Sequence, residues 1–245
     1  MKQLISNAES VSSKTSTLRE LVPIVFRNLR PDEVDVRPSQ IKENGGQTKV
    51  DLLLYQDARC GQNILDESVG TLNWQKKYEY VGSLLFCLIG IRNPETGEWV
   101  WKSDVGSESN VEKEKGLASD CFKRACVSWG IGRELYTAPK ITITCTDKDI
   151  WKKDGKNILT QTFKVGEMEV SSQKEITYLT ILDKWNNERF TWGKKREPIP
   201  SKARAQALAR LAAGEDIWQK LRDAYIIDES QMRTELSNLI AKKDG

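Results

Sequence analysis

The chain has 245 residues, of which 38% are apolar and 30% charged, a balance typical of a folded protein with a highly charged surface. Its formal net charge is +3, which permits a nucleic-acid partner, but any phosphate-binding site must come from local clusters of Lys and Arg. The sequence contains no histidine, which excludes the His-dependent nucleophile systems and the zinc hydrolase motifs that contain His.

Other motifs with a defined function are also missing from the sequence. It has no G-x-x-x-x-G-K-S/T, so we do not expect a P-loop ATPase, and no apolar run approaches the roughly 18 residues of a membrane span. The first residues lack the apolar core of a secretory signal, and we therefore expect a cytoplasmic protein. The five cysteines lack metal-type spacing and are expected to be reduced and mostly buried: Cys60, Cys87, Cys121, Cys126 and Cys145.

The first predicted elements are a short helix, two strands and a second helix. Apolar residues at helical spacing favour the short helix at residues 18–26. Residues 33–36 and 49–55 are predicted strands, joined by a Gly-rich turn. Asp57 is suited to cap the second helix, which we expect to end at Val69 because a glycine follows it.

Three strands are predicted between that helix and the next one. Residues 74–81 alternate polar and aromatic side chains, as a half-buried strand does. Residues 83–92 are a continuous apolar run with the length of a central strand, and residues 98–104 follow a strong turn signal. This order predicts an α+β fold, in which an antiparallel β-meander carries a long helix on one face.

The long helix belongs to the most informative segment of the chain. Ser109 and Glu112 form a capping-box pattern, so we expect the helix to start at about residue 110. Lys123 and Arg124 project from the face roughly opposite an apolar stripe, and Gly130 provides the helix exit. The stripe consists of Ala118, Cys121, Phe122, Ala125, Cys126 and Trp129.

The remainder of the chain changes character twice. Residues 140–193 are β-rich and contain a second predicted hairpin, so they form either an extension of the first domain or a small β lobe. We predict one domain boundary near residue 194, between residues 1–193, with a core at about 30–140, and a basic, helical region at residues 194–245. The basic stretch predicts a solvated or packing helix, or alternatively a contact for DNA or for an acidic partner segment.

The order of motifs between residues 104 and 136 resembles that of a known family. D-V-G, a short polar loop, a helix containing S-D-x-x-K-R-A and then W-G-I-G-R-x-L-Y are similar to the Rad-fifty-two-type single-strand annealing proteins, including DdrA-like and phage Sak-like recombinases. The resemblance is densest at residues 50–136. It implies ATP-independent binding of single-stranded DNA and annealing of complementary strands, in recombination and double-strand break repair of the phage or bacterial type.

The resemblance also assigns strand contacts to basic residues. A protein that anneals strands must hold the phosphates and leave the base edges free, which requires Lys and Arg on rigid elements. Where the family often has another basic residue one turn after the Lys-Arg pair, this chain has Val127, and we expect Lys102 or Arg133 to compensate. The residues that match the family pattern are Arg59, Lys115, Lys123 and Arg124.

Assembly and partners follow from the same resemblance. Proteins of this kind form closed rings or open spirals, with the strand in a basic groove around the outside, and a head-to-tail interface generates such assemblies. We therefore expect a homo-oligomer that binds single-stranded DNA, with a single-strand-binding protein or an exonuclease as a further partner. No cofactor and no membrane contact are expected.

Aromatic side chains crowd the predicted meander and allow two interpretations. They stack on bases, or they form cross-strand pairs and core, which is the commoner role of alternating Trp and Tyr on adjacent strands. The residues concerned are Trp74, Tyr78, Tyr80, Trp99 and Trp101.

Two other functions are compatible with the sequence. A protein that binds single strands without annealing them could protect DNA ends or load another recombinase. The enzyme alternative is a metal-dependent nuclease built without histidine, although the Asp-Gly step at Asp154 is equally typical of a hairpin turn. We expect a protein that is not an enzyme. The nuclease pattern would consist of Asp147, Asp149, Asp154 and Lys156.

Overall fold

The computed structural model describes residues 24–107 and 113–241, which form an α+β fold built on antiparallel sheets. Two short 3-10 turns, Pro31–Glu33 and Arg133–Thr137, lie between the regular elements. In chain order these elements are β1 (Val34–Asn44), β2 (Gln47–Gln56), α1 (Ala58–Val69), β3 (Trp74–Val81), β4 (Leu84–Arg92), β5 (Trp99–Val105), α2 (Lys113–Trp129), β6 (Ile141–Thr144), β7 (Ile150–Lys153), β8 (Lys156–Leu159), β9 (Phe163–Val170), β10 (Ile176–Asp183), β11 (Glu188–Gly193), β12 (Glu197–Pro198), α3 (Ser201–Ala212), α4 (Trp218–Ala224), β13 (Tyr225–Ile226) and α5 (Glu229–Ala241).

A six-stranded sheet with the order β11-β10-β9-β1-β2-β6 contains the N-terminal hairpin and most of the β-rich segment. β9 pairs with β1 at Lys164 and Asp35. On the other side of the hairpin, β6 pairs with β2 in an antiparallel register that includes Ile143 opposite Val50. Pairing between distant parts of the chain therefore joins the two segments in one sheet.

The second sheet is the meander β3-β4-β5, and its strands begin and end within one residue of the predicted positions. β4 is the central strand, as its continuous apolar sequence predicts. α2 packs against β4 and β5. Alternate residues of β4 are buried under this helix, because successive side chains of a strand point to opposite faces: Leu85, Cys87, Ile89 and Ile91.

The helices α1 and α2 follow the predicted patterns where the structure describes them. The side chain of Asp57 caps α1 by accepting a hydrogen bond from the backbone N–H of Arg59 at 2.7 Å, and α1 ends at Val69 as expected. The predicted cap of α2 at residues 109–112 lies outside the described residues. So does most of the predicted helix at 18–26, of which residues 24–26 have no helical structure. The predicted stripe of α2 supplies buried side chains from Cys121, Phe122, Ala125 and Cys126.

β1 is longer than its sequence predicts, extending from Val34 to Asn44 rather than stopping at residue 36. The part beyond residue 36 is mostly polar and contains Pro38, which normally argues against a strand. The structure accommodates the proline at an irregularity between Pro38 and Gln40, where the register with β2 shifts. The extension places Arg37 within a strand.

The C-terminal helices have an apolar core of their own. α3 contributes Leu208 and Leu211, α4 contributes Leu221 and α5 contributes Met232, all of them buried. Hydrogen bonds from Ser172 to Asp223 connect this group of helices to the turn before β10. The boundary near residue 194 stays a prediction.

Most of the basic side chains between residues 194 and 210 form salt bridges with acidic residues of the same chain. Arg196 bonds to Glu169 in β9 at 3.0 Å, which ties the start of this region to the six-stranded sheet. Arg204 and Arg210 of α3 form salt bridges as well, with Glu235 at 2.9 Å and Glu215 at 2.6 Å. These pairings favour a packing role over a contact with DNA.

The five cysteines are free thiols, and four of them are buried while Cys145 is partly exposed. Burial in the core raises the pKa of Cys60 and of Cys87 to about 12. Among the helices within residues 24–107 and 113–241, none has both the length and the apolar character needed to cross a lipid bilayer.

Candidate nucleic-acid interface

A groove of about 680 Å³ lies between α2 and the hairpin of β1 and β2. Residues of α2 at helical spacing form one wall, including Gly116, Ser119 and Lys123. Gly116 has no side chain and that of Ser119 is small, so both leave room along this wall. Lys123 and Arg124 lie further towards the C-terminal end of the helix. The groove therefore combines open space with positive charge. Its other lining residues are Arg37, Leu54, Tyr55, Gln56, Ser107, Asp120, Arg124, Val127, Gly132, Leu135 and Tyr136.

The predicted basic pair Lys123 and Arg124 lines this groove. Adjacent helix residues point about 100° apart, so the pair fans out across one side of α2. Phe122 and Ala125, which flank the pair in sequence, are buried in the core and fix the rotation of the helix about its axis. The alternation of core and surface positions thus presents both cations to the groove.

Two cations lie near one aromatic ring of the groove. The Lys123 Nζ atom lies 6.0 Å from the ring centroid of Tyr55, and the Arg37 guanidinium carbon lies 5.5 Å from the same centroid. Such distances are within the range of cation–π attraction. Burial, together with the charge of Asp35, raises the pKa of Tyr55 despite the nearby Arg37, so its hydroxyl stays protonated at neutral pH. The arrangement holds two positive charges beside one neutral ring.

Arg124 is held in the groove by a carboxylate of its own helix. Its Nε atom donates a 2.9 Å hydrogen bond to Oδ2 of Asp120, one turn earlier. The same oxygen accepts the backbone N–H of Ser107 at 2.9 Å and its hydroxyl at 3.0 Å. Burial opposes the charge of Asp120, but these hydrogen bonds outweigh it and hold the pKa of the carboxyl below its usual value. Asp120 is therefore ionised and bound at neutral pH.

The floor of the groove is tightly built around Gly132. This residue has φ +71°, a left-handed conformation that glycine adopts most readily. A methyl group at this position would overlap the side-chain amide of Gln56. Gln56 is itself buried, and its Oε1 atom has no hydrogen-bond partner among the described residues.

Arg59 lies outside the residues that line the groove and is already paired. Its side chain is 85% exposed and bonds to Asp57 through Nε at 3.0 Å. The pairing with the cap of α1 offsets the unfavourable position of a cation in the first turn of a helix. The sequence position of Arg59 is therefore explained locally, and its contact with DNA stays a prediction.

Lys102 and Arg133 lie at the C-terminal end of α2 rather than in the groove. The Lys102 ammonium lies 4.3 Å from the ring centroid of Trp129 and donates to the Ser128 carbonyl at 3.1 Å. Arg133 donates to the Val127 carbonyl at 3.1 Å. Cations at this position satisfy the free carbonyls of a helix end and complement its dipole. Neither residue lines the groove, whereas Val127 does, and their predicted contact with DNA stays a prediction.

Arg37 is the groove cation that the sequence did not reveal. It lies on β1, across the groove from α2. The predicted strand ended one residue before it, and the family pattern, which is centred on α2, does not include it. Lys115 lies in the first turn of α2, and its side chain is outside the described part of the structure.

The aromatic residues of the meander divide between its two faces. Trp74 and Tyr78 lie on the face that the helices cover. The Trp74 indole donates to Asp66 of α1 at 2.6 Å, and the Tyr78 hydroxyl donates to the Ala118 carbonyl of α2 at 3.4 Å. Trp99 and Trp101 lie on the opposite face, with ring centroids 6.2 Å apart. These residues, like the exposed Tyr80, do not line the groove; the aromatic rings that do are Tyr55 and Tyr136.

Two of the acidic residues of the nuclease alternative have roles in the fold: Asp149 forms an ion pair and Asp154 occupies a turn. Asp149 is buried and bonded to Arg189 through both carboxylate oxygens, at 3.1 and 2.8 Å. Asp154 occupies the turn between β7 and β8 with φ +51°. Asp147 lies in the loop before β7, and the side chain of Lys156 is outside the described part of the structure. Within residues 24–107 and 113–241, no group of three or more Asp, Glu, Cys or His side chains is arranged to hold a metal ion.

Comparison with known proteins finds a relative that is similar over part of the chain. The chain is similar to the single-stranded DNA-binding protein DdrA of Deinococcus radiodurans. The two are 35% identical over 99 residues, which cover 40% of this chain and 46% of DdrA. The similarity thus spans less than half of either protein. No protein-family model matches the chain. No solved structure matches it either.

Proposed function

We propose that this protein binds single-stranded DNA in the groove between α2 and the β1–β2 hairpin, and that it anneals complementary strands without ATP or another cofactor. The observation that carries the proposal is the convergence of Lys123, Arg124 and Arg37 on one open groove. The similarity to DdrA, which is described as a single-stranded DNA-binding protein, supports the same ligand.

The groove is suited to grip a strand by its backbone. Lys and Arg bind phosphates without regard to sequence, and fixed elements hold these cations in place. A strand held by its phosphates keeps its base edges free to pair with a second strand, which is the requirement for annealing. Tyr55 adds a neutral aromatic ring close to two of these cations, and such a ring is suited to contact a base or a sugar.

The wider setting of this activity follows the family resemblance. We propose a head-to-tail homo-oligomer, a ring or a spiral, in which the grooves of successive copies form one continuous path for the strand. It would act in the cytoplasm, on the nucleoid or on replicating phage DNA, and beside a single-strand-binding protein or an exonuclease. Its role in recombination of the Rad-fifty-two type, and its lack of an enzymatic activity, belong to the same proposal.

A fluorescence-quenching assay with two complementary, protein-free strands tests the proposal. The purified chain without ATP should accelerate duplex formation well above the spontaneous rate. The double variant Lys123→Ala/Arg124→Ala should lose this effect and keep the wild-type melting temperature. The matched control is Lys152→Ala/Lys153→Ala, which removes the same charge from an exposed hairpin outside the groove and should anneal normally.

Each alternative function has a distinct outcome in this assay. Tight binding without acceleration would replace annealing by a role in end protection or recombinase loading. Shortened strands in a parallel reaction with magnesium would indicate a nuclease. Normal annealing by the Lys123/Arg124 double variant would contradict the choice of groove.

A further inference from the structure

Asp120 is the one carboxylate among the described residues that line the groove. A negative charge beside a phosphate path repels the ligand, so its presence requires a compensating benefit. Two of its neighbours in the groove, Lys123 and Arg124, are the cations that the proposed function needs. The hydrogen bonds of Asp120 show what that benefit is.

Asp120 binds Arg124 in a way that leaves the phosphate-binding edge of the guanidinium open. The hydrogen bond runs from Nε of Arg124 alone, and no acceptor among the described residues is bonded to its two Nη atoms. In contrast, the salt bridge between Arg204 and Glu235 uses both Nε and Nη2 of the arginine. A free pair of Nη groups can make the bidentate contact that arginine forms with phosphate.

The far side of Asp120 is anchored to the segment that follows β5. Both donors of Ser107 bind the oxygen that also binds Arg124. The preceding residue, Gly106, lies so close to α2 that a methyl group there would be about 2.9 Å from the Leu117 carbonyl oxygen. The carboxylate therefore has a fixed position between the helix and this segment, and it transmits that position to Arg124.

We infer that Asp120 is a positioning residue for DNA binding, which orients Arg124 so that its Nη edge faces the strand. This inference rests on the proposed function of the groove. It predicts that removal of the Asp120 charge weakens DNA binding, whereas electrostatic attraction alone would strengthen it. Loss of the Asp120 charge makes the groove more positive, which alone would strengthen binding, but it also frees Arg124 to adopt other rotamers, which weakens binding.

The variant Asp120→Asn removes the charge and leaves one neutral oxygen in place of the carboxylate oxygen that accepts from both Ser107 and Arg124, so the charge-assisted restraint on Arg124 is weakened while the helix stays anchored to Ser107. We expect affinity for a fluorescent oligothymidine, measured by anisotropy at low salt, to fall about fivefold, corresponding to about 1 kcal/mol for a well-placed charge pair. The matched control is Asp35→Asn, which removes an exposed carboxylate opposite Tyr55 in the β1–β2 register without touching Arg124. That variant should bind as tightly as the wild type or more tightly. Tighter binding by Asp120→Asn would overturn the inference.

A double-mutant cycle distinguishes positioning from a general structural role. In the Arg124→Ala background, Asp120→Asn should no longer weaken binding, because there is no guanidinium to orient. An equal loss in both backgrounds would mean that Asp120 acts through the fold, and the inference would be wrong.

The variant Arg124→Lys gives an independent test that leaves Asp120 intact. It keeps the charge but lacks the forked edge, so it should bind more weakly than the wild type; unchanged affinity would overturn the inference.

Failure of this inference is distinguishable from failure of the proposed function. If Lys123→Ala/Arg124→Ala binds the oligonucleotide normally, the groove is not the DNA site and the role of Asp120 falls with it. If that double variant loses binding while Asp120→Asn binds more tightly, the groove remains the DNA site and only the positioning role of Asp120 is wrong.

Discussion

Arg37 on β1 and Lys123 on α2 lie at the same aromatic ring, 5.5 and 6.0 Å from the centroid of Tyr55. The two cations come from different elements, a strand near the start of the described chain and a helix that follows the meander. Their meeting shows that the groove has basic residues on both walls, not on the helix alone. A strand in the groove can therefore be held from two sides.

Replacement of Arg37 by Ala should weaken binding of single-stranded DNA, because one wall loses its cation. If Arg37 neutralises one phosphate, the slope of log affinity against log salt should become less steep by about 0.7. Anisotropy titrations at four or five salt concentrations measure this slope. Lys152→Ala is the control, since it removes one exposed positive charge outside the groove lining. An unchanged slope in Arg37→Ala would show that Arg37 does not contact the strand.

Replacement of Gly132 by Ala should destabilise the fold around the groove floor. Both the left-handed backbone and the overlap with the Gln56 amide oppose a side chain there. We expect a loss of about 3 kcal/mol in the free energy of unfolding, measured with urea, from these two causes together.

Gly214→Ala is the matched control for this measurement. Gly214 has φ +87°, but a methyl group there would meet no atom within 4 Å. This variant should therefore lose only the backbone contribution, about 1 kcal/mol. Equal losses in the two variants would mean that the packing of Gln56 against Gly132 contributes nothing to stability.

The buried pair of Asp149 and Arg189 should make stability depend on pH in the acid range. The Arg189 guanidinium holds the pKa of Asp149 well below its usual range, despite burial of the carboxyl. A depressed pKa in the folded state means that the stabilising contribution is complete above the ordinary carboxyl pKa of about 4 and is lost as the pH falls below it.

The variant Asp149→Asn tests this contribution. It removes the carboxylate that binds Arg189 through both oxygens and leaves Asp183, at 3.6 Å, and the Thr144 carbonyl as the remaining contacts, so we expect a loss of about 2 kcal/mol in the free energy of unfolding at pH 7. The difference from the wild type should shrink as the pH is lowered from 4 towards 2. Asp32→Asn, at a carboxylate that is 80% exposed, should change little at any pH. A difference between Asp149→Asn and the wild type that stays constant with pH would contradict the assignment.

The core thiols should react slowly in the native protein. Burial raises the pKa of Cys60 and Cys87 to about 12, so the thiolate is scarce at pH 8 and the sulfur is shielded. We expect iodoacetamide to modify Cys145, which is partly exposed, before the others, and to reach Cys60 and Cys87 only after denaturation. Peptide mass spectrometry over a time course identifies the order. Rapid labelling of Cys87 in the native state would show that the meander opens readily.

The parts of the fold that the sequence predicted are those specified by local patterns. The central strand of the meander follows from an uninterrupted apolar run, and the start of α1 follows from the capping residue Asp57. Both signals lie within a few residues of the element they define. The face of α2 that presents Lys123 is equally local, because helical spacing fixes it.

The parts that were missed depend on contacts between distant segments. The strand that carries Arg37 was predicted only as far as residue 36, and the pairing with β2 that extends it to Asn44 is visible only in the folded chain. The hydrogen bonds of Lys102 and Arg133 to carbonyls at the end of α2 were not predictable from the sequence either, and their contact with DNA stays a prediction. A positive side chain in a sequence does not reveal whether a nearby carbonyl already binds it.

The long-range pairing of the six-stranded sheet also decides where this chain can be shortened. A fragment that ends at residue 140 keeps α2 and the β1–β2 hairpin, the two walls of the groove, but loses β6 from one side of the hairpin and β9 from the other. Both edges would then expose unpaired backbone N–H and C=O groups, and open edges of this kind promote association between copies. A minimal DNA-binding fragment must therefore include the strands up to Gly193, although none of the predicted DNA contacts lies beyond Tyr136.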